Sequence, residues 1–355
     1  VNYDEDRRVL DYLVATGVVG YRSKIFEVRA GRDRNRWGDA QGSTSLSDYG
    51  TVYDQLQIRT TVGPVQYTNL FTSLATGRIT SSDAVIPKKY TAMHRLTVKL
   101  PARVEVSLTE SIAFGTDSLG ARDGFDVAYL NPVIFLRAAE ADRGSPDNVL
   151  LGAGASWIPY PGYKVYGSVF LDELRVAEIG NKWWGNKWAV QWGAFAVPDP
   201  RFDVRVEMTR LRPYMYAHRD PLNAYVHYDD VLGHPPGANA IDVLVEARAR
   251  PVAGLEAVAR WTRTVRGRDS TGVNYGSNPK LPNDTRVADR DVAILQGVRQ
   301  LDNELDVRLQ YELLPRLFAD VGAIYFVHDD AVDGLDRVLQ AQAGLRWGLT
   351  PGRSR

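Results

Sequence analysis

Apolar and polar residues alternate through the C-terminal stretch 336–349, D-R-V-L-Q-A-Q-A-G-L-R-W-G-L. Leu339, Ala341, Ala343, Leu345, Trp347 and Leu349 fall on one parity; Gln340, Gln342, Gly344, Arg346 and Gly348 fall on the other. Successive side chains of a β-strand point to opposite faces, so the stretch predicts a strand with one apolar and one polar side. The pattern recurs at Leu96, Val98 and Leu100, then at Ala102, Val104, Val106 and Leu108. It returns at Phe202, Val204, Val206 and Met208, and at Ile241, Val243, Val245, Ala247 and Ala249, with Leu244 as an exception. Further rows are Leu255, Ala257, Ala259 and Trp261; Leu305, Val307, Leu309, Tyr311 and Leu313; and Leu317, Ala319, Val321, Ala323, Tyr325 and Val327. Almost no helical periodicity separates them.

Short breaks at 100–102, 198–200, 251–254 and 314–316 carry proline or glycine and read as tight turns. Longer connections rich in Gly, Asn and Asp lie at 31–50, 115–126, 218–239 and 267–290. Short and long connections in alternation predict an all-β chain: a transmembrane antiparallel β-barrel of roughly 16–18 strands, with short periplasmic turns and long outer loops. Closure is expected between the first strands and 339–349, because lipid cannot satisfy an open strand edge. The whole chain, 1–355, reads as a single barrel domain. A soluble β-sandwich also alternates. Its strands have a mode of about five to six residues, whereas these runs reach about ten or more. Aromatic residues near strand ends (Tyr163, Trp188, Trp192, Trp261, Tyr325 and Trp347) also suit the interfacial girdles of a barrel.

Lys+Arg and Asp+Glu are both 43, so the net charge is zero, which argues against a nucleic-acid partner. The chain has no cysteine, excluding disulfides and thiolate chemistry. No apolar run approaches the ~20 residues of a membrane helix; the longest, 12–21 and 127–136, are about half that. The first residues, V-N-Y-D-E-D-R-R, are not a signal peptide, and a processed or N-terminally shortened product is expected.

With the apolar rows facing lipid, the polar rows line a lumen. Arg205, Glu207, Glu246, Arg248, Arg308 and Glu312 put both signs of charge on the same strands. Groups so confined are expected to pair and to tie facing walls together, giving a filled or narrow interior. A water-filled channel of mixed lining is the alternative.

No catalytic constellation emerges, and the chain reads as non-enzymatic with no cofactor. His218, His227 and His234 share a connection with Asp220, Asp229 and Asp230, but at no standard metal-ligand spacing. A solvated polar loop is the simpler reading. Glu110 in T-E-S-I-A-F-G interrupts an apolar row and reads as a buried carboxylate without a partner at glycosidase spacing. Neither a nucleophile elbow nor a P-loop is present.

Two segments mix indoles with hydrogen-bonding groups: 31–43 (G-R-D-R-N-R-W-G-D-A-Q-G-S) and 181–188 (N-K-W-W-G-N-K-W). A sugar ring offers apolar C–H faces for indoles and hydroxyls for amides, carboxylates and guanidinium groups. Trp37, Trp183 and Trp184 are therefore candidate stacking residues, and Arg32, Arg34, Arg36 and Asn186 candidate hydrogen-bonding residues, for a polysaccharide. A structural or interfacial role fits the same residues.

The chain resembles the Wzi family of capsule assembly proteins. The resemblance rests on G-R-D-R-N-R-W-G at 31–38, S-L-S-D at 45–48, M-H-R-L at 93–96, T-E-S-I-A-F-G at 109–115, L-N-P at 130–132, Asn148, V-Y-G-S-V-F-L-D-E at 165–173 and V-L-G-H at 231–234. After W-G this chain has G-D-A-Q-G, where the family usually carries a proline-containing stretch. The resemblance implies a barrel of about eighteen strands in the bacterial outer membrane, holding surface polysaccharide in a lectin-like manner. Membrane lipid or lipopolysaccharide and other envelope proteins are the further expected partners. A diffusion channel for small solutes and a structural subunit of an envelope assembly are the alternative expectations.

Overall fold

The computed structural model describes residues 2–4, 9–11, 14–76, 88–115, 127–130 and 147–348. Fifteen strands form one sheet: β3 (Gly17–Arg22), β4 (Phe26–Asp33), β5 (Tyr53–Val62), β6 (Val65–Ala75), β7 (Lys88–Leu100), β8 (Val104–Gly115), β9 (Asn148–Tyr160), β10 (Tyr163–Glu173), β11 (Lys187–Asp199), β12 (Phe202–Leu211), β15 (Ala240–Ala249), β16 (Leu255–Arg268), β17 (Val298–Leu314), β18 (Leu317–Asp330) and β19 (Gly334–Trp347). Each pairs antiparallel with its neighbours in chain order. Two small ladders stand apart, β1 (Asn2–Asp4) with β2 (Val9–Asp11), and β13 (Val226–His227) with β14 (Asp230–Val231).

Turn chemistry sets one rim. Gly63-Pro64, Pro101–Arg103, Pro161-Gly162, Pro200-Arg201 and Pro315-Arg316 join consecutive strands at the same end of the sheet. Gly162 has φ +86, and a Cβ there would lie 2.8 Å from the Val197 carbonyl oxygen, so this turn requires glycine. The long connections lie at the opposite rim.

Over most of its area the sheet is polar inside and apolar outside. Along β11 the outward Trp192 is 52 % exposed, while the adjacent inward Gln191 is 3 % exposed. Along β17 the outward Leu309 is 46 % exposed and the inward Asp306 is buried. Water-soluble folds bury the apolar side of such strands; this inversion is that of a membrane barrel. Leu244, the exception in its row, lies opposite Glu207 on the inward side, so the alternation of β15 is intact.

Two connections fold inward and the wall curls around them. The first, 34–52, follows β4, yet its Gln41 reaches Glu207 on β12 and Glu246 on β15. The second, 212–239, follows β12 and reaches back to β6 and β7: Ala75 N–H donates to His227 Nδ1 at 3.0 Å, and Lys89 Nζ donates to the Ala224 carbonyl at 2.6 Å. A sheet whose distant strands hold common central segments encloses them. Inward wall residues Leu70, Leu74, Met93, Leu150, Phe170 and Leu211 pack with Trp37, Leu46, Met215, Tyr216, Tyr225 and Leu232 as one core inside the wall.

Three expectations need restating. β3 pairs only with β4 and β19 only with β18, so no ladder closes the ring between them among the described residues; Leu349 lies outside those residues. The 115–126 connection and the L-N-P motif also fall almost wholly outside them. The outward row of β5–β9 is not uniformly apolar. Asn69, His94 and Glu110 lie side by side in register on it and are buried. His94 Nδ1 is 2.7 Å from Asn69 Oδ1, and Tyr129, beyond β8, packs its ring 4.6 Å from that of the outward Phe114.

The outward assignment has an energetic consequence. Replacing Leu309 or Val321 by arginine is expected to cost about 2–4 kcal/mol at mid-bilayer, against less than about 1 kcal/mol for Gln310→Arg on the lumen side. Urea titration of folding into phospholipid vesicles measures this; equal costs on the two faces would refute the assignment.

Candidate functional site

The two inner segments have little regular structure, and their backbone groups must be satisfied by one another and by the wall. Ser47 N–H donates to the Leu232 carbonyl at 2.8 Å, and Ser47 Oγ to the Gly233 carbonyl at 2.6 Å. Tyr216 and Tyr225 each donate a phenol to the first segment, at Thr44 and Ser45 carbonyls, both at 2.8 Å. Burial pushes both phenols well above the ordinary tyrosine range. Gly233 is required by this closeness, because a Cβ would meet the Thr44 carbonyl and the Tyr216 hydroxyl at 2.5 Å. His234 bridges the Gly42 carbonyl and the Asp242 carboxylate.

The wall holds both segments with charge. Asp172 and Lys187, at the outer ends of β10 and β11, form an ion pair at 2.6 Å that is almost wholly buried. Asp172 also accepts from Tyr216 N–H at 2.8 Å, and Lys187 donates to the Ala217 carbonyl at 3.1 Å. Glu207 accepts from Gln41 N–H at 3.1 Å, from the Tyr166 phenol at 2.6 Å and from Arg205 at 2.8 Å.

The residues of the expected lumen network fall into separate groups. Arg205, Glu207 and Glu246 form one, with Gln41 at its centre. Arg308 pairs with Asp306 on its own strand at 2.5 Å, and Arg248 lies 3.9 Å from Glu256 on the adjacent strand. Neither reaches a facing wall. Glu312 accepts from Arg316 N–H at 2.9 Å and closes the β17–β18 turn. Same-strand and next-strand carboxylates are nearer than anything across the lumen, so the cross-ties run through the inner segments.

The histidines are likewise structural. His218 bonds to Asp220, His227 to Ala75 and Val52, and His234 to Gly42 and Asp242. The loop expected to be solvated is packed inside the wall. Among the described residues no group of three His, Cys, Asp or Glu side chains could hold a metal.

The outer rim carries a cleft of about 960 Å³. It lies between the start of β9, the connection 174–186, residues 218–219 of the second inner segment and residues 283–286. Trp183 and Trp184 line it, with ring centroids 5.8 Å apart and planes at 59°. The Arg175 guanidinium sits 4.5 Å over the Trp183 ring, and that of Arg286 sits 4.0 Å over Trp184. These cation–π contacts fix the indoles and set charged donors beside them. Trp184 also stands edge-on to Tyr214 of the second inner segment, at 6.1 Å. Two backbone bonds, Trp184 N to Asp289 O at 3.1 Å and Val292 N to Lys182 O at 3.0 Å, tie the tryptophan loop to the connection after β16. Arg290 donates to both oxygens of Glu178 and holds that carboxyl below its ordinary range. Arg219, Asn283, Asp284 and Asp147 add to the polar lining, as do Asp172, Glu173 and Lys187, and burial lowers the His218 pKa at its inner edge.

The two candidate segments thus part company. Trp183 and Trp184 line the cleft. Asn186 is buried, its Oδ1 accepting from Arg175 N–H at 2.7 Å, and so shapes the loop. Trp37 is buried in the core with Leu46 and Met215 and does not line this cleft. Arg32 pairs with Asp54 on the outward side at 3.4 Å, Arg34 donates to the Asp48 carbonyl at 3.3 Å, and Arg36 lies 4.0 Å from the Asp48 carboxylate. None of the three lines the cleft. The guanidinium groups that do line it are those of Arg175, Arg219 and Arg286, and no local motif marks those positions.

The family model described as capsule assembly protein Wzi matches residues 3–317. Among solved structures the chain is similar to Wzi of Escherichia coli, an outer-membrane protein involved in group 1 capsule assembly and a carbohydrate-binding β-barrel. Identity is 12 %, the TM-score is 0.62, and the match covers 92 % of this chain and 68 % of that one. It is also similar to OccD3 (OpdP) of Pseudomonas aeruginosa, at 11 % identity and TM-score 0.47, over 94 % of this chain and 77 % of that one. At 12 % identity the likeness to Wzi of Escherichia coli is one of fold. No curated protein matches the chain.

One attachment of the inner segments titrates. His227 Nδ1 accepts from Ala75 N–H while Nε2 faces the Val52 carbonyl at 3.1 Å, an arrangement only the neutral ring satisfies. Burial is the largest cause and lowers its pKa from 6.5 to about 4; the bond to Val52 opposes it, and the nearby Lys89 and Arg32 charges add to it. Between those values the unfolded chain binds a proton that the folded one rejects. The stabilisation is complete above pH 6.5 and is lost as the pH falls towards 4, by up to about 3 kcal/mol. Thermal unfolding at pH 7.5 and 4.5 should show this loss in the wild type and much less of it in His227→Gln; identical pH dependence in both would refute it.

Proposed function

The chain belongs to the Wzi family of capsule assembly proteins, and on that premise we propose that it retains surface polysaccharide, without catalysis, through the cleft lined by Trp183 and Trp184. It is an outer-membrane β-barrel. The observation that carries the reading is the pairing of two fixed indoles with Arg175, Arg219 and Arg286 at the outer rim. Indole faces cover the apolar faces of sugar rings, and guanidinium groups bond hydroxyls or the carboxylates of acidic sugars. Such contacts are individually weak; a repeating polymer engages many copies at once, and avidity supplies the strength. The inner segments support retention over diffusion, since they occupy the lumen that a solute would cross.

The test is retention of polysaccharide by cells or liposomes carrying Trp183→Ala with Trp184→Ala. Unchanged heat-modifiable migration on gels confirms folding. A several-fold loss of retained polymer is expected. Retention equal to the wild type would overturn the reading.

A further inference from the structure

The outward face of β12–β19 carries arginines near its long-connection end, with one further outward row, Ile241, Val265, Leu301, Asp329 and Leu335, beyond Arg263 and Arg337. Trp261, Leu305, Tyr325 and Leu339 stand in one outward row, directly paired across β16 to β19. The next outward row towards the long connections is Arg263, Asn303, Val327 and Arg337. Arg263 continues through Val243 to Met208 on β12, and Arg210 is the next outward residue of that strand. Arg210, Arg263 and Arg337 are all exposed. Among the described residues none of them has a carboxylate oxygen within ion-pair reach; Arg263 donates only to the Asn303 amide, at 3.4 Å. Arg299, above them on β17, shares the face but is paired with Asp329 at 3.1 Å.

Height places these groups. From Trp347 to Arg337 the strand covers about 34 Å, or about 25 Å along the membrane normal at a tilt of about 40°, which is the height of a barrel's apolar band. The cations therefore sit near the top of the apolar band, above the aromatic pair Trp261 and Tyr325 and one row below Ile241, Val265, Leu301 and Leu335, at the level of lipid headgroups in the outer leaflet. Strand spacing separates Arg263 from Arg337 by roughly 15 Å and from the strand of Arg210 by roughly 10 Å. Uncompensated guanidinium groups at an apolar edge bind phosphate well, through paired N–H donors in a medium poorer in water than the bulk.

We infer that Arg210, Arg263 and Arg337 form a binding site for the phosphates of lipopolysaccharide, on the lipid A disaccharide that anchors it in the outer leaflet. This site lies on the wall and is separate from the rim cleft, so it orients the barrel in its membrane whether or not the cleft holds polymer.

The experiment measures binding of bisphosphorylated lipid A, which carries no polymer, to the detergent-purified full chain by native mass spectrometry. The triple variant Arg210→Gln, Arg263→Gln, Arg337→Gln should bind about tenfold more weakly, as expected for loss of charge-assisted contacts. Arg248→Gln in the lumen and Trp183→Ala with Trp184→Ala at the rim should bind as the wild type does. Wild-type protein should also prefer bisphosphorylated over dephosphorylated lipid A, a comparison that holds even if the triple variant folds poorly. Equal binding by a folded triple variant, or no preference for the phosphorylated form, would overturn the inference.

Discussion

The structure depends on satisfying the backbone of two irregular segments inside a barrel wall. Residues 34–52 and 212–239 carry few ladder hydrogen bonds of their own, and a buried peptide group left unpaired costs about 1–3 kcal/mol. The inner faces of β10, β11 and β12 meet that demand with Asp172, Lys187, Gln191 and Glu207, and Glu246 on β15 accepts from the Gln41 side chain. The Asp172–Lys187 pair is the central tie, because each partner also holds a backbone group of the second segment. Losing one partner of a buried pair costs about 3–5 kcal/mol, since the other charge is stranded. Polarity inside and apolarity outside are therefore two sides of one arrangement: the wall turns its hydrogen-bonding side to the segments and its apolar side to lipid.

That arrangement positions the cleft. Lys187 directly follows Asn186 of the tryptophan loop, so the ion pair anchors the loop from below. Tyr214 and Arg212, in the second inner segment, meet Trp184 and the Trp183 carbonyl from the side. Arg286 and Asp289 reach the same loop from the connection after β16. Three chain segments distant in sequence thus hold two indoles in fixed planes. A rigid aromatic platform binds a flexible polymer without first paying for its own ordering.

Much of the barrel was legible in the sequence, and the reason is physical. Side-chain direction in a strand has period two, so rows such as Leu305 to Leu313 reveal both the strand and its lipid face. Prolines at 101, 200, 251 and 315 mark turns in the sequence. The inner segments were not legible, because their order comes from partners far away along the chain: Gln41 with Glu207, 166 residues on, and Ser45 with Tyr225, 180 residues on. For the same reason Trp37 and Trp183 look alike in sequence, though one fills the core and the other faces the cleft. Charge alternation puts Arg205, Glu207, Glu246, Arg248, Arg308 and Glu312 on one side of their strands, but it carries no information on which group is nearest, so the contacts of Arg248 with Glu256, Arg308 with Asp306 and Glu312 with Arg316 are not legible in it. Glu110 broke its apolar row as noted; that His94 and Asn69 stand beside it emerged only with strand register.

The central claim is that polysaccharide is held at the rim by a platform that the inner segments fix. Hydroxyl-radical footprinting of the folded protein in liposomes, with and without polysaccharide, tests it most directly. The account predicts protection at Trp183, Trp184, Arg175, Arg219 and Arg286, with Trp37 unchanged because it is already buried. Protection confined to other surfaces, with Trp183 and Trp184 as reactive as before, would contradict it.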